Sequence, residues 1–222
     1  MDQSCHIRGT VIEKVDWQAR RQQGLCEALK PGDSLLPYIQ QVGAYLPDTL
    51  IEYSLFGAVS RIIVYQQLST QVARSIHTKF CALFEMHVAD PVAAMDMSIE
   101  QLRSAGLSQS KARSIQHLAE MIQSGDVPNE QVVQSLSELE IVECLTQVRG
   151  VGPWTANIAL MSWLMKPDIM PAADLGLRKG LQKIDGLDAL PNEAELLKRA
   201  EDWRPYRSVA SWYLWRCLEL PS

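Results

Sequence analysis

The reading of this chain turns on residues 148–160, VRGVGPWTANIAL. Two glycines bracket one valine, a proline follows, and helical character begins at once. Gly150 and Gly152 offer two places where backbone angles closed to other residues are tolerated. The spacing predicts a helix over about 134–147 that reverses within a few residues into a second helix opening at Pro153. Proline suits a first helical position, where its missing N–H is not needed. The amides of Val151, Gly152 and Trp154 are then expected to face outward at a helix N-terminus, which is an anion site. Apolar anchors at Leu145 and Val148 and the small pair Thr155-Ala156 suit two helices packed closely. The pattern is a helix–hairpin–helix, a device that holds one nucleic-acid strand through backbone amides. A plain turn between helices, capped by glycine, would use the same residues.

Around this motif the signals are helical. The stretch SLFGAVSRIIVYQQLS carries an apolar face. STQVARSIHTKFCALFEM opens on a Ser/Thr cap and places Val72, Ile76, Phe80 and Leu83 on one stripe. Short helices are expected after Asp90-Pro91 and over SIEQLRSAG, and a longer one from Ser108 to Gly125. Downstream, DLGLRKGLQKI, NEAELLKRAEDW and RPYRSVASWYLWRCLEL each begin at a capping residue or a proline. Only HIRGTVIEKV alternates, weakly, as a strand would. The expectation is an all-α fold of roughly ten short helices, with no repeats and no low-complexity tract.

Composition sets outer bounds. Of 222 residues, 47% are apolar and 21% charged, too apolar for disorder. The longest apolar run, IALMSWLM, is far short of the ~20 residues of a membrane span. The start MDQSCHIRGT has no hydrophobic signal region. A soluble protein of the cytoplasm or nucleoid (the nucleus, in a eukaryote) is expected. Cys5, Cys26, Cys81, Cys144 and Cys217 are scattered, with no Cys-x2-Cys pair, so reduced thiols are expected, with no metal and no cofactor. The net charge of −5 lacks the usual footprint of a nucleic-acid binder. It is uneven, however: residues 148–222 hold 10 Lys/Arg against 9 Asp/Glu, and residues 1–147 hold 11 against 17.

Read together, VRGVGPWTA and MPAADLGLRKG resemble the helix–hairpin–helix superfamily of DNA glycosylases, in its 3-methyladenine DNA glycosylase II branch. IIVYQQLSTQVARSI, AGLSQSKARSIQHLA and WRPYRSVASWYLWR match that branch in the same order. The resemblance covers about residues 55–217 and implies two helical lobes with an active-site cleft between them. One lobe is expected over 55–167 with the hairpin at 148–152, the other over 1–54 plus 168–222. Only about 50 residues precede the first matched helix, which implies the compact form without an extra β-rich domain.

The resemblance makes Asp174, twenty residues beyond Trp154, the carboxylate that carries the chemistry. The same residue suits a helix N-cap, and the two roles are compatible, because a helix N-terminus stabilises an anion. Where strand-cleaving relatives carry a lysine nucleophile, this chain has Trp154, which implies a monofunctional hydrolase. Trp154 and Trp215 are candidates for the base pocket, with Ile158 where relatives can offer an aromatic. Trp154 equally suits a core residue bracing the hairpin. Arg149, Gly150, Val151, Gly152 and Thr155 are candidate DNA contacts. Gln67, Leu68 and Ser69 are candidates for the wedge that fills the gap left by a flipped base. Arg204 and Arg207 are read first as solvated arginines, with a phosphate or the neighbourhood of Asp174 as the alternative, and His77 and His117 are read as structural. The implied partner is double-stranded DNA with alkylated bases, met by a monomer. Two alternatives stay open: a helix–hairpin–helix module that binds without catalysis, and a glycosylase of this fold for another lesion.

Overall fold

The structure, a computed structural model, describes residues 11–50 and 53–221, with side chains from residue 17 onward. Among these residues every regular element is helical, and no helix is long and apolar enough to cross a membrane. In chain order the helices are α1 (Val11–Ala28), α2 (Leu36–Val42), α3 (Leu55–Tyr65), α4 (Thr70–Cys81), α5 (Pro91–Asp96), α6 (Ile99–Ser104) and α7 (Gln109–Ser124). Then follow α8 (Glu130–Ser135), α9 (Glu138–Thr146), α10 (Pro153–Ser162), α11 (Leu175–Asp185), α12 (Glu193–Ala200) and α13 (Arg207–Cys217). The chain divides into two compact units, residues 48–166 and residues 1–47 with 167–222.

The unit 48–166 is built around α3. Nine of its eleven residues are buried, as a helix apolar on all sides requires. Helices α4, α7 and α10 lie against it, and α5 and α6 cover α7. Helix starts follow local chemistry: the Ser54, Asp90 and Ser108 side chains each accept from an N–H in the first turn of α3, α5 and α7. In the other unit α13 packs on α11, α2 and α1, and Trp203, Tyr213 and Leu214 are wholly enclosed.

Several sequence expectations are corrected. The weak alternation over HIRGTVIEKV is not a strand across its described part, since α1 begins at Val11 and residues 6–10 lie outside the described residues. Cys5 lies outside them as well. The helix expected over about 134–147 is two helices, because Ser137 and Glu140 form a capping box that starts α9 afresh. The stripe on α4 holds at Phe80 but is displaced by one residue in the first two turns. Ala73, His77 and Phe80 face inward, while Val72 is 48% exposed.

Candidate functional site

The hairpin is a C-terminal tightening of α9, a short turn, and an abrupt start to α10. The Val148 N–H donates to Leu145 O at 3.1 Å and the Val151 N–H to Val148 O at 3.0 Å. The Val151 amide is therefore spent inside the turn and does not face outward as the sequence suggested. Its side chain is buried too, so Val151 anchors the turn from within. Gly150 alone takes the left-handed conformation, at φ +74°. Gly152 is extended at φ −99° and ψ 179°, a conformation open to any residue.

The two glycines are required for different reasons. A Cβ on Gly150 would overlap Ser114 Oγ of α7, so that glycine serves both the backbone angle and the packing. A Cβ on Gly152 would meet nothing within 4 Å. Nothing among the described residues asks for glycine at 152. The space it leaves is on the outside, at the N-terminus of α10, and the Gly150 and Gly152 N–H groups have no acceptor among the described residues. Arg149 is exposed beside them. Thr155 is buried and turned inward, where its Oγ1 accepts from Gln66 Nε2 at 2.9 Å, so its side chain braces the motif rather than facing outward.

Two residues outside the motif hold it. The Arg149 N–H donates to His117 Nδ1 at 3.0 Å, which leaves the proton of the neutral ring on Nε2. The Gln66 amide also donates to Gly150 O at 3.1 Å. His117 thus has a definite task, fixing the backbone from which Arg149 projects. Trp154 and Ile158 are both half-buried and lie one turn apart on α10, so they share a face. The candidate wedge residues Gln67, Leu68 and Ser69 are all exposed between α3 and α4. Gln67 is left-handed at φ +56°, Leu68 is 40% exposed, and Ser69 is the N-cap of α4 without a side-chain capping bond.

In the other unit Asp174 is the N-cap of α11. Its Oδ1 accepts from the Leu177 N–H at 2.9 Å and from the Trp215 indole Nε1–H at 3.0 Å. One carboxylate oxygen is thus pinned by two donors of different origin, a helix terminus and an aromatic side chain from α13. Gly176 makes this possible, because a Cβ there would stand 2.9 Å from Asp174 Oδ1 and 3.0 Å from the Trp215 ring. The carboxylate is half-buried and held in place at a helix N-terminus, where the helix dipole favours a negative group. Trp215, expected to line a pocket, holds the carboxylate. Arg204 and Arg207 take no part here. Both are bound to Asp168, at 2.6 and 2.8 Å, so neither is the freely solvated arginine expected first, and neither takes the alternative partner, Asp174.

Among the described residues the fold is all-helical, with a helix–hairpin–helix in one unit and a capped aspartate in the other. The model of the HhH-GPD superfamily base excision DNA repair protein matches residues 60–205, and the chain belongs to that superfamily. It is 33% identical to DNA-3-methyladenine glycosylase 1 of Schizosaccharomyces pombe, over 82% of this chain and 81% of that protein. The solved structure of a 3-methyladenine DNA glycosylase of that yeast, in complex with abasic DNA, superposes with a TM-score of 0.84 at 30% identity. It covers 90% of this chain and 97% of that one. The structure of a DNA-3-methyladenine glycosidase from Bacillus halodurans gives a TM-score of 0.71 at 28% identity, covering 84% of each chain. Within the superfamily the chain falls in the 3-methyladenine DNA glycosylase branch.

Proposed function

We propose that this protein is a monofunctional DNA glycosylase that hydrolyses the N-glycosidic bond of alkylated purines, 3-methyladenine foremost, in double-stranded DNA. Asp174 is the carboxylate that stabilises the sugar. The observation that carries this reading is the double anchoring of Asp174 Oδ1 by Leu177 N–H and Trp215 Nε1–H. A fixed anion of this kind lowers the barrier to a reaction whose transition state is positive at C1′. In 3-methyladenine the base is already cationic. The C1′–N9 bond breaks with its electron pair going to the purine, which leaves neutral; water adds to C1′ and gives up a proton, leaving an abasic site. The leaving group needs no strong general acid, and Asp174 is suited to orient the water. At the position of the lyase nucleophile stands Trp154, which forms no Schiff base, so the strand stays intact.

On this reading the outer face of the hairpin holds one strand through the Gly150 and Gly152 N–H groups, with Arg149 beside them, and the 67–69 loop fills the gap left by the flipped base. The substrate class comes from the similarity to the 3-methyladenine glycosylases and from the absence of a lysine at 154. The test uses methylated duplex DNA, with released bases identified by chromatography. Asp174→Asn keeps an oxygen for both anchoring bonds and removes only the charge. Release of 3-methyladenine by the parent protein and a loss of at least ~100-fold in the variant are expected. Release that survives the substitution would take Asp174 out of its role, and binding without any release would leave a non-catalytic strand-gripping module.

A further inference from the structure

The loop proposed as the wedge and the proposed strand-gripping hairpin are joined by a set of hydrogen bonds centred on Gln66. Helix α3 ends at Tyr65, and Gln66 is its C-cap. The Gln66 side chain does not point to solvent. Its Nε2 donates to Gly150 O at 3.1 Å and to Thr155 Oγ1 at 2.9 Å, reaching both halves of the hairpin motif across 84 and 89 residues of sequence. The main chain of the same residue is held from α7, whose Lys111 Nζ donates to Gln66 O at 2.7 Å and Val64 O at 2.9 Å. A cation in the first turn of a helix opposes the helix dipole. Its presence there is explained by the two carbonyls at the end of α3 that it satisfies. One turn further along α7, Ser114 lies against Gly150, and beyond it His117 accepts the Arg149 N–H. Lys111, Ser114 and His117 recur every third residue, so one face of α7 holds the root of the loop and the back of the hairpin together. At Gln67 the chain turns left-handed, and Leu68 projects outward.

We propose that Gln66 is a positioning residue that locks the wedge loop to the hairpin, so that strand grip and base extrusion act as one rigid body with α7 as its spine. This rests on the glycosylase reading above. A wedge that moves independently of the gripped phosphate enters the duplex out of register, and misplacement of about 1 Å in a positioned group costs up to ~10²-fold in rate. Gln66→Glu keeps the shape but removes the donor facing Gly150 O.

The experiment combines single-turnover base release from methylated duplex with the fluorescence of 2-aminopurine placed beside a tetrahydrofuran abasic site. The proposal predicts that Gln66→Glu lowers the maximal release rate about 10- to 100-fold and reduces the 2-aminopurine rise. Affinity for undamaged duplex should stay within about threefold and the thermal midpoint within a few degrees. In a Leu68→Ala background the same substitution should add less than about threefold, because both changes remove one joint function. Lys111→Met, which releases the loop from the α7 side and leaves the Gln66 amide in place, should repeat the pattern. Parent-like release and fluorescence in Gln66→Glu, or losses that multiply with Leu68→Ala, would overturn it. A parent protein that releases no base defeats the glycosylase reading instead. The fluorescence arm still decides whether loop and hairpin act together.

Discussion

Alanine placed at either hairpin glycine gives opposite results, and the pair separates fold from function. At Gly150 the backbone is at φ +74°, where an L side chain costs about 1–2 kcal/mol. The new methyl also displaces Ser114 Oγ, which donates to Ser110 O at 3.0 Å, and losing that bond costs a further ~1 kcal/mol. Gly150→Ala should therefore destabilise the protein by roughly 2–3 kcal/mol. At Gly152 the angles are ordinary and a methyl meets no atom within 4 Å, so Gly152→Ala should leave stability unchanged or raise it by about 0.4–1 kcal/mol through the unfolded chain. The same methyl stands where the proposed strand must come close to the α10 N-terminus. Affinity for a duplex with an abasic site should fall at least ~10-fold, or about 1.4 kcal/mol. Urea unfolding followed by circular dichroism gives the first quantity, and fluorescence anisotropy with a labelled duplex gives the second. A Gly152→Ala protein that binds DNA as the parent does would refute the placement of the strand on this face. A Gly150→Ala protein as stable as the parent would refute the packing argument.

Other outcomes follow from the same geometry. Trp215→Phe removes one of the two donors to Asp174 Oδ1 while keeping an aromatic ring. Single-turnover release should drop roughly 10-fold, with binding to the abasic duplex within about twofold; an unchanged rate would mean that the indole N–H does not hold the carboxylate for catalysis. His77 is enclosed by the rings of Tyr53, Tyr65 and Phe80, and burial, aided by the nearby Arg61 charge, pushes it down from 6.5 to about 4. The folded state therefore stays unprotonated at His77 between pH 6.5 and 4 while the unfolded chain takes up a proton. Stability is whole above pH 6.5 and declines as pH falls toward 4, by up to roughly 3 kcal/mol and nearer 2 after allowing for residual solvent screening. His77→Phe should flatten that part of the pH–stability curve, and an unaltered slope would show that other groups cause it.

What could be read from the chain alone was local. Ser108, Asp90 and Asp174 are recognisable caps because capping is decided within four residues. The hairpin is legible for the same reason. Helix α2 is not, since it has seven residues, one of them proline, and buries only Ile39 from its own length. The phase of α4 is misread because His77 counts as polar in any sequence pattern, yet it lies in an aromatic enclosure that no local rule reveals. The partners that matter most at the candidate site lie beyond sequence reach. Trp215 meets Asp174 across 41 residues, His117 meets Arg149 across 32, and Gln66 meets Gly150 across 84. Lys111 alone left a trace, as a cation in a first helical turn where the dipole disfavours it.

An acidic chain that holds DNA must do so with few cations, and this yields a quantitative prediction. Residues 48–166, which carry the hairpin, hold 8 Lys/Arg against 12 Asp/Glu, so attraction by net charge is not available. The carboxylates cluster between residues 85 and 143, largely on α5, α6, α8 and α9. Arg61 and Lys111 are already occupied, by Asp48 and by the carbonyls closing α3. Arg74, Lys79, Arg113 and Arg149 are exposed, with no ion-pair partner among the described residues. Each cation that neutralises a phosphate contributes about −0.9 to the slope of log K against log salt. Backbone N–H groups carry no full charge and add little to it. If two to four cations engage, the slope should lie between roughly −2 and −4, and Arg149→Gln should make it shallower by about 1. A slope steeper than about −6 would mean that cations carry the binding, and the amide grip at the hairpin would lose its reason.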